Sequence, residues 1–298
     1  AMYILLCGTG VGFSVERQYV SQLPEIPQGF EEVDTCIEVQ DSKEGWADSV
    51  KFLMETLYDG KHVHFDYSQL RPEGARLHTM GGRSSGPAPL IRLHQFMREV
   101  FSKAQGRQLR PIECHDICNQ IAEIVVSGGV RRSSQISLSD LDDDRMRKAK
   151  EWPFPQRRAM ANNSAIYTEK PTAAVFLREW AELANSGTGE RGIFNLGGAR
   201  ETAPSRRNSN LIAGTNPCGE IMLRDQEFCN LSEVVVKSDD NLDTLLDKVE
   251  TATWMGVIQS TFTDFPYLRQ RWKKNCDVER LLGVSLTGVC DNLPQMTS

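Results

Sequence analysis

An α/β fold is predicted by three observations. Period-two apolar alternation and helical apolar spacing take turns along the chain, glycine- and proline-rich stretches separate them, and 298 residues at 40% hydrophobic content can supply a sizeable core. In chain order, the apolar run 3–6 feeds Gly8-Thr9-Gly10-Val11-Gly12 and reads as a buried strand opening into a tight turn. Residues 33–39 read as a second strand or an extended connection. From Trp46 the residues Val50, Leu53, Met54 and Leu57 recur at helical spacing, Asp41, Ser42 and Glu44 offer capping chemistry, and Gly60 ends the helix. Residues 62–67 alternate, which puts Val63, Phe65 and Tyr67 on one face of a strand.

The Gly/Ser/Pro stretch 81–89 reads as a loop ahead of a helix carrying Leu90, Leu93, Met97, Val100 and Phe101. Pro111 suits the first turn of a helix over 111–127, Gly128-Gly129 stops it, and 134–138 reads as the next strand. The acidic run 140–144 reads as a solvated turn. Further helices are expected at 172–185, 241–261 and 277–292, and the polar stretch 199–215 reads as a long loop.

Thirty-four Lys and Arg against 40 Asp and Glu leave a net charge of -6, which argues against a polybasic surface for nucleic acid or membrane. The basic pairs Arg131-Arg132 and Arg206-Arg207 read as solvated surface or as phosphate contacts. No apolar run approaches the ~20 residues that span a bilayer, and the first residues lack a secretory pattern, so a cytoplasmic protein is expected. Eight cysteines are too sparse for a disulfide scaffold in a chain of this length and read as mostly reduced thiols.

Chemistry concentrates in Asn216-Pro217-Cys218-Gly219-Glu220-Ile221, followed by Glu227-Phe228-Cys229-Asn230-Leu231. Rigid Pro217 and permissive Gly219 flank Cys218, a pattern that presents a thiol at a turn or loop tip. Asn216 and Glu220 lie two residues either side, so in an extended segment an amide, a thiol and a carboxylate share a face. The competing reading of Cys218 and Cys229 is as small buried hydrophobes. A papain-like site needs a histidine, and all five, at 62, 64, 78, 94 and 115, lie far upstream without a local signature. No metal site is expected: Cys114 and Cys118 lack a second ligand pair and share a helix face suited to core packing. The glycines at 8–12 have the wrong spacing for a dinucleotide fingerprint, and no acidic residue closes the unit.

The Asn-Pro-Cys-Gly-Glu and Phe-Cys-Asn-Leu segments at this separation resemble the active-site finger loop and redox-cysteine strand of ribonucleotide reductases, in particular the monomeric, adenosylcobalamin-dependent class II type. The segments 8–15, 81–90, 127–133 and 281–288 resemble family segments in the same order. The resemblance implies part of a ten-stranded reductase-type α/β barrel with a central finger loop. Residues 1–298 are then expected to form a single catalytic-barrel fragment, lacking the family's N-terminal segment and C-terminal barrel half.

It further implies that Cys218 carries a transient thiyl radical that abstracts the ribose 3′-hydrogen, that Glu220 accepts the 3′-hydroxyl proton, and that Asn216 binds the sugar hydroxyls. Cys229 becomes one of two thiols that deliver electrons by closing a disulfide; the family's partner for it lies upstream of the glycine-rich segment, and Cys7 is not assigned to that role. Gly82, Arg83, Ser84, Ser85 and Gly86 resemble the mobile loop that links an effector site to substrate choice, an ordinary surface loop being the other reading. Gly10, Val11 and Gly12 would let backbone approach substrate or cofactor. The implied cofactor is adenosylcobalamin, and the implied partners are a ribonucleoside triphosphate, a deoxynucleotide effector and a thioredoxin-like or small dithiol reductant, with neither nucleic acid nor membrane. A class I-type large subunit needing a separate radical-generating subunit, and a non-catalytic nucleotide-binding remnant, stay open at this point.

Overall fold

A computed structural model describes residues 1–77, 81–127, 134–293 and 296. His78, the pair Arg131-Arg132 and most of 127–133 therefore lie outside the described residues. The chain divides into two compact units, residues 1–199 with 214–220 and residues 200–213 with 221–298.

The first unit opens with a correction. Residues 3–6, expected as a strand, belong to helix α1 (Met2–Leu6), and strand β1 (Val11–Ser14) follows the glycines instead. An unbroken apolar run has no period, so burial alone cannot tell helix from strand; Met2, Ile4, Leu5 and Leu6 are all buried. There follow α2 (Arg17–Val20), β2 (Glu31–Glu38), α3 (Lys43–Tyr58), β3 (Lys61–Asp66), β4 (Glu73–Arg76), β5 (Arg83–Ser85), α4 (Ala88–Lys103) and α5 (Pro111–Ser127). Ser42 caps α3, its hydroxyl accepting from the Gly45 N–H at 2.9 Å. β6 (Gln135–Asp140), α6 (Asp144–Arg147), β7 (Ala161–Tyr167), α7 (Ala173–Ser186) and β8 (Gly192–Asn195) complete the main body.

Strands β1, β6, β7 and β8 form a four-stranded sheet in that order, parallel throughout, with Gly12 opposite Ile136, Ser137 opposite Asn163 and Ala165 opposite Ile193. Helices α1, α3, α4 and α5 pack on one another around Leu53, Leu57, Leu90, Leu93, Met97 and Phe101, all fully buried. One polar chain threads this core. Tyr67 donates to His94 Nδ1 at 2.7 Å, His94 Nε2 lies 3.2 Å from Ser49 Oγ, and Ser49 donates to the Trp46 carbonyl at 2.9 Å. With the serine proton spent on Trp46, Nε2 must be the donor, and because burial keeps the ring neutral Nδ1 is the acceptor, so both nitrogens are satisfied. Burial pushes its pKa down to about 3.

Helix α8 (Leu196–Glu201) carries the chain out of the first unit, and β9 (Ile212–Thr215) carries it back. The second unit then contains β10 (Met222–Arg224), β11 (Asn230–Val235), α9 (Leu242–Ser260), α10 (Gln270–Glu279) and β12 (Leu282–Thr287). β11 and β12 pair in parallel from Asn230–Leu282 to Val235–Thr287, and α9 packs on both. A reciprocal Asn241–Thr244 capping box starts α9. The helix expected at 277–292 is not formed: α10 ends at Glu279, Arg280 turns into the left-handed region (φ 45°), and Leu282–Thr287 is strand β12. Pairing with β11 supplies an environment that local apolar spacing does not register. Among the described residues, no helix is long and apolar enough to cross a membrane.

Candidate active site

Gly10, just before β1, and Gly12 within it position the thiol segment. A Cβ on Gly12 would sit 2.4 Å from the Thr215 carbonyl oxygen, and one on Gly10 would sit 2.7 Å from Pro217 Cγ. Only glycine lets the 215–217 backbone lie this close to the strand. Asn162 at the start of β7 holds the same backbone from the neighbouring direction, donating to the Pro217 carbonyl at 2.9 Å. Gly10 and Gly12, expected to face substrate or cofactor, thus face the thiol segment itself, while Val11 pairs with Gln135 in the sheet.

The segment then turns. The Gly219 N–H donates to the Asn216 carbonyl at 3.0 Å, with Gly219 at φ 89°. Asn216 and Pro217 are buried, Cys218 and Glu220 exposed. Asn216 Nδ2 donates to Glu220 Oε1 at 2.6 Å, and Thr215 Oγ1 donates to Asn216 Oδ1 at 3.3 Å, which fixes the amide's orientation. Cys218 sits in a turn, as its Pro217 and Gly219 neighbours predict, and it is the turn rather than a shared face of an extended segment that brings amide and carboxylate into contact beside the exposed thiol.

Cys229 lies in the second unit, half-buried, immediately before β11. Phe228 beside it packs on Trp272 and Phe265, and its N–H donates to Cys276 Sγ at 3.4 Å. The sequence reading missed the polar cluster beneath this segment. Glu279 accepts from both Arg207 and Arg224, the latter at 2.7 Å, and Glu227 accepts the Arg224 N–H at 2.7 Å. All four side chains are at least nine-tenths buried. Arg207, read as solvated surface or a phosphate contact, is therefore an internal ion-pair partner; Arg206 alone is exposed.

The segment Gly82–Gly86 is not simply a loop: Arg83, Ser84 and Ser85 form β5, antiparallel to β4, with Arg83 donating to the Gly74 carbonyl at 2.9 Å. Its glycines supply positive φ at either end of the strand, 83° at Gly82 and 68° at Gly86, which composition alone reads as loop. Cys7 closes α1, half-buried, with Lys43 Nζ donating to its sulfur at 3.5 Å. Burial pushes the Cys114 thiol up to about 12 and that of Cys118 up to about 11, and Cys114 packs against Val15, Val20, Met146 and Ala149. Neither is a nucleophile in this setting. Among the described residues no three His, Cys, Asp or Glu side chains cluster as metal ligands.

The chain is similar over nearly its whole length to B12-dependent, class II ribonucleotide reductases. Residues 17–101 match the family described as "B12-dependent ribonucleotide reductase, insertion domain". The adenosylcobalamin-dependent ribonucleoside-triphosphate reductase of Levilactobacillus brevis is 29% identical over 96% of this chain and 44% of that protein, and that of Lactobacillus leichmannii is 30% identical over the same shares. A crystal structure of a B12-dependent (class II) ribonucleotide reductase superposes with a TM-score of 0.71 at 25% identity, covering 97% of this chain and 45% of the other. The chain thus spans less than half the length of the relatives it matches.

Proposed function

We propose that this chain carries the thiyl-radical cysteine and one of the two reductant cysteines of an adenosylcobalamin-dependent ribonucleoside-triphosphate reductase. The observation that carries the reading is the turn at 216–220, which exposes Cys218 beside an Asn216–Glu220 pair already in hydrogen-bond contact. On this reading residues 1–298 are a single fragment of the reductase's ten-stranded barrel, with the turn as its finger loop. The side of the turn bearing Cys218 and Gly219 fits a bulky group: the thiol is exposed, and a Cβ on Gly219 would meet nothing within 4 Å. Adenosylcobalamin facing these two residues would supply the radical chemistry by cobalt–carbon homolysis.

The rest is the work of the chain's own groups. Cys218 as a thiyl takes the ribose 3′-hydrogen, a reversible step because S–H and ribose C–H bonds are similar in strength. Glu220, held by Asn216, accepts the 3′-hydroxyl proton, and the Asn216 amide binds the sugar hydroxyls. The 2′-hydroxyl leaves as water. Two thiols, Cys229 and a partner, give up two electrons and two protons as their disulfide closes, and Cys218 then returns the 3′-hydrogen. A thioredoxin-like protein or small dithiol would reset the pair. The Gly82–Gly86 segment would read a deoxynucleotide effector, and the enzyme would act in the cytoplasm, where its nucleotides are.

An anaerobic assay of the purified chain with adenosylcobalamin, a ribonucleoside triphosphate and a small dithiol tests the reading. Deoxynucleotide that disappears in Cys218→Ser is the expected result; folded protein that yields none refutes catalysis by this chain.

A further inference from the structure

The buried cluster beneath the Cys229 segment holds two acids in one place. Glu227 has no solvent exposure at its side chain, its Oε2 takes the Arg224 N–H, and no N–H or O–H donor reaches its Oε1. Its carboxyl neighbours that of Glu279 on the same buried Arg207 guanidinium, and the Glu279 oxygens are occupied by Arg207 and Arg224. Two neighbouring buried acids cannot both be ionised without cost, and the unpartnered Oε1 of Glu227 is where a proton can sit. Arg207 Nη2 is 3.9 Å from Glu227 but in direct contact with Glu279, so the guanidiniums favour the charge on Glu279 and leave the proton on Glu227. Burial and the neighbouring Glu279 raise the Glu227 carboxyl to about 7, while Glu279 is held low by its arginines.

The groups facing Glu227 are Arg207 from the 200–213 segment, Arg224 from β10, and Glu279 and Cys276 from α10. The neighbouring acids are engaged elsewhere, Asp225 with Arg271 and Asp277 with Lys273. Glu227 is two residues from Cys229, and no glycine or proline intervenes to uncouple them.

We propose that Glu227 and Glu279 share one proton that pins the entry of the Cys229 strand, and that losing it as pH rises loosens this entry and frees Cys229 to reach a second thiol. Glu227 is then a positioning residue, and its bearing on turnover rests on the reductase reading of Cys229. Two ionised carboxylates in contact repel, and the 226–228 backbone, with Gln226 already at φ 62°, is the segment that must give.

The test is site-resolved alkylation by iodoacetamide, following the Cys229 peptide by mass spectrometry from about pH 5.5 to about pH 8.5 in the unmodified chain and in Glu227→Gln. Glutamine mimics the protonated acid without titrating. The ratio of the two rates cancels the common growth in thiolate and is expected to rise several-fold through neutral pH, then level off. Glu279→Gln removes the repelling partner, so the step should disappear. A ratio that does not vary with pH overturns the proposal, as does a step that Glu279→Gln leaves in place. A ratio that falls also overturns it, because a carboxylate acting only through its charge makes the nearby thiol less acidic. Alkylation needs no turnover, so an inactive chain that still shows the step refutes catalysis by this chain and leaves the shared proton standing.

Discussion

The turn bearing Cys218 and the strand entry bearing Cys229 are held by different forces. The turn is seated by shape: Gly10 and Gly12 leave room for the 215–217 backbone, Asn162 holds the Pro217 carbonyl, and the charged Glu220 is left exposed beside the thiol. The strand entry is seated by charge: Arg207, Arg224, Glu227 and Glu279 are buried together, and Cys229 is half-buried above them. A group that must meet a substrate benefits from close seating with its polar atoms outward. A thiol that must move to close a disulfide can instead be governed by a cluster whose cohesion depends on protonation. Substitutions in the first region should therefore change chemistry more than stability, and those in the second should do the reverse.

The largest effect separates the two outright. Cys218→Ser removes one exposed sulfur and should take deoxynucleotide formation to background while leaving the thermal midpoint unchanged, a pairing that assay and calorimetry of one sample will check. A midpoint that drops would mean the thiol is a packing group after all. Arg207→Ala should do the opposite in kind. It leaves Glu279 short of a partner in a buried site, and denaturant unfolding should show a loss of about 3–5 kcal/mol.

Between these lies Gly12→Ala. The added methyl meets backbone oxygen rather than a movable side chain, so a cost of about 1–3 kcal/mol is expected with lowered activity, as the turn shifts off its seat. Equal loss of activity and stability would blur the distinction between the regions; activity lost well beyond the stability change would sharpen it.

The acid pair gives a pH test of the second region. The Glu227 carboxyl is raised to about 7, so between the ordinary carboxylate value and about 7 the folded chain holds a proton that the unfolded chain has released. Stability therefore falls as pH rises through that window and levels off above it. Glu279, held low, acts in the other direction: its contribution is present above the ordinary carboxylate value and is lost as pH falls. Glu227→Gln should flatten the decline, with a midpoint near pH 8 several °C above that of the unmodified chain and little difference near pH 5. Parallel melting curves across the range would show that Glu227 does not titrate there.

How much of this was legible beforehand depended on range. The helices α3, α4, α5, α7 and α9 could be placed because their apolar residues recur at helical spacing and Ser42, Pro111 and Asn241 mark their starts. The periodless run at 3–6 and the strand at 282–287 could not, since only packing partners distinct from the local sequence decide them. Asn216, Cys218 and Glu220 stood out because they sit within five consecutive residues. Asn162 is 55 residues from the carbonyl it holds, and Arg207 is 72 from Glu279, so no local pattern joins either pair.

The smallest expected effect turns on adjacent residues of the same type. Arg206 and Arg207 read alike in sequence, yet Arg206 is exposed while Arg207 is locked to Glu279. Arg206→Ala should change stability by no more than about 0.5 kcal/mol, because an exposed guanidinium stays solvated in the folded and unfolded chain alike. The same denaturant titration used for Arg207→Ala measures it. If the two variants lose similar amounts, the cohesion of the second region is general charge balance rather than the specific Arg207–Glu279 contact. The shared proton of Glu227 would then have no fixed partner to hold it.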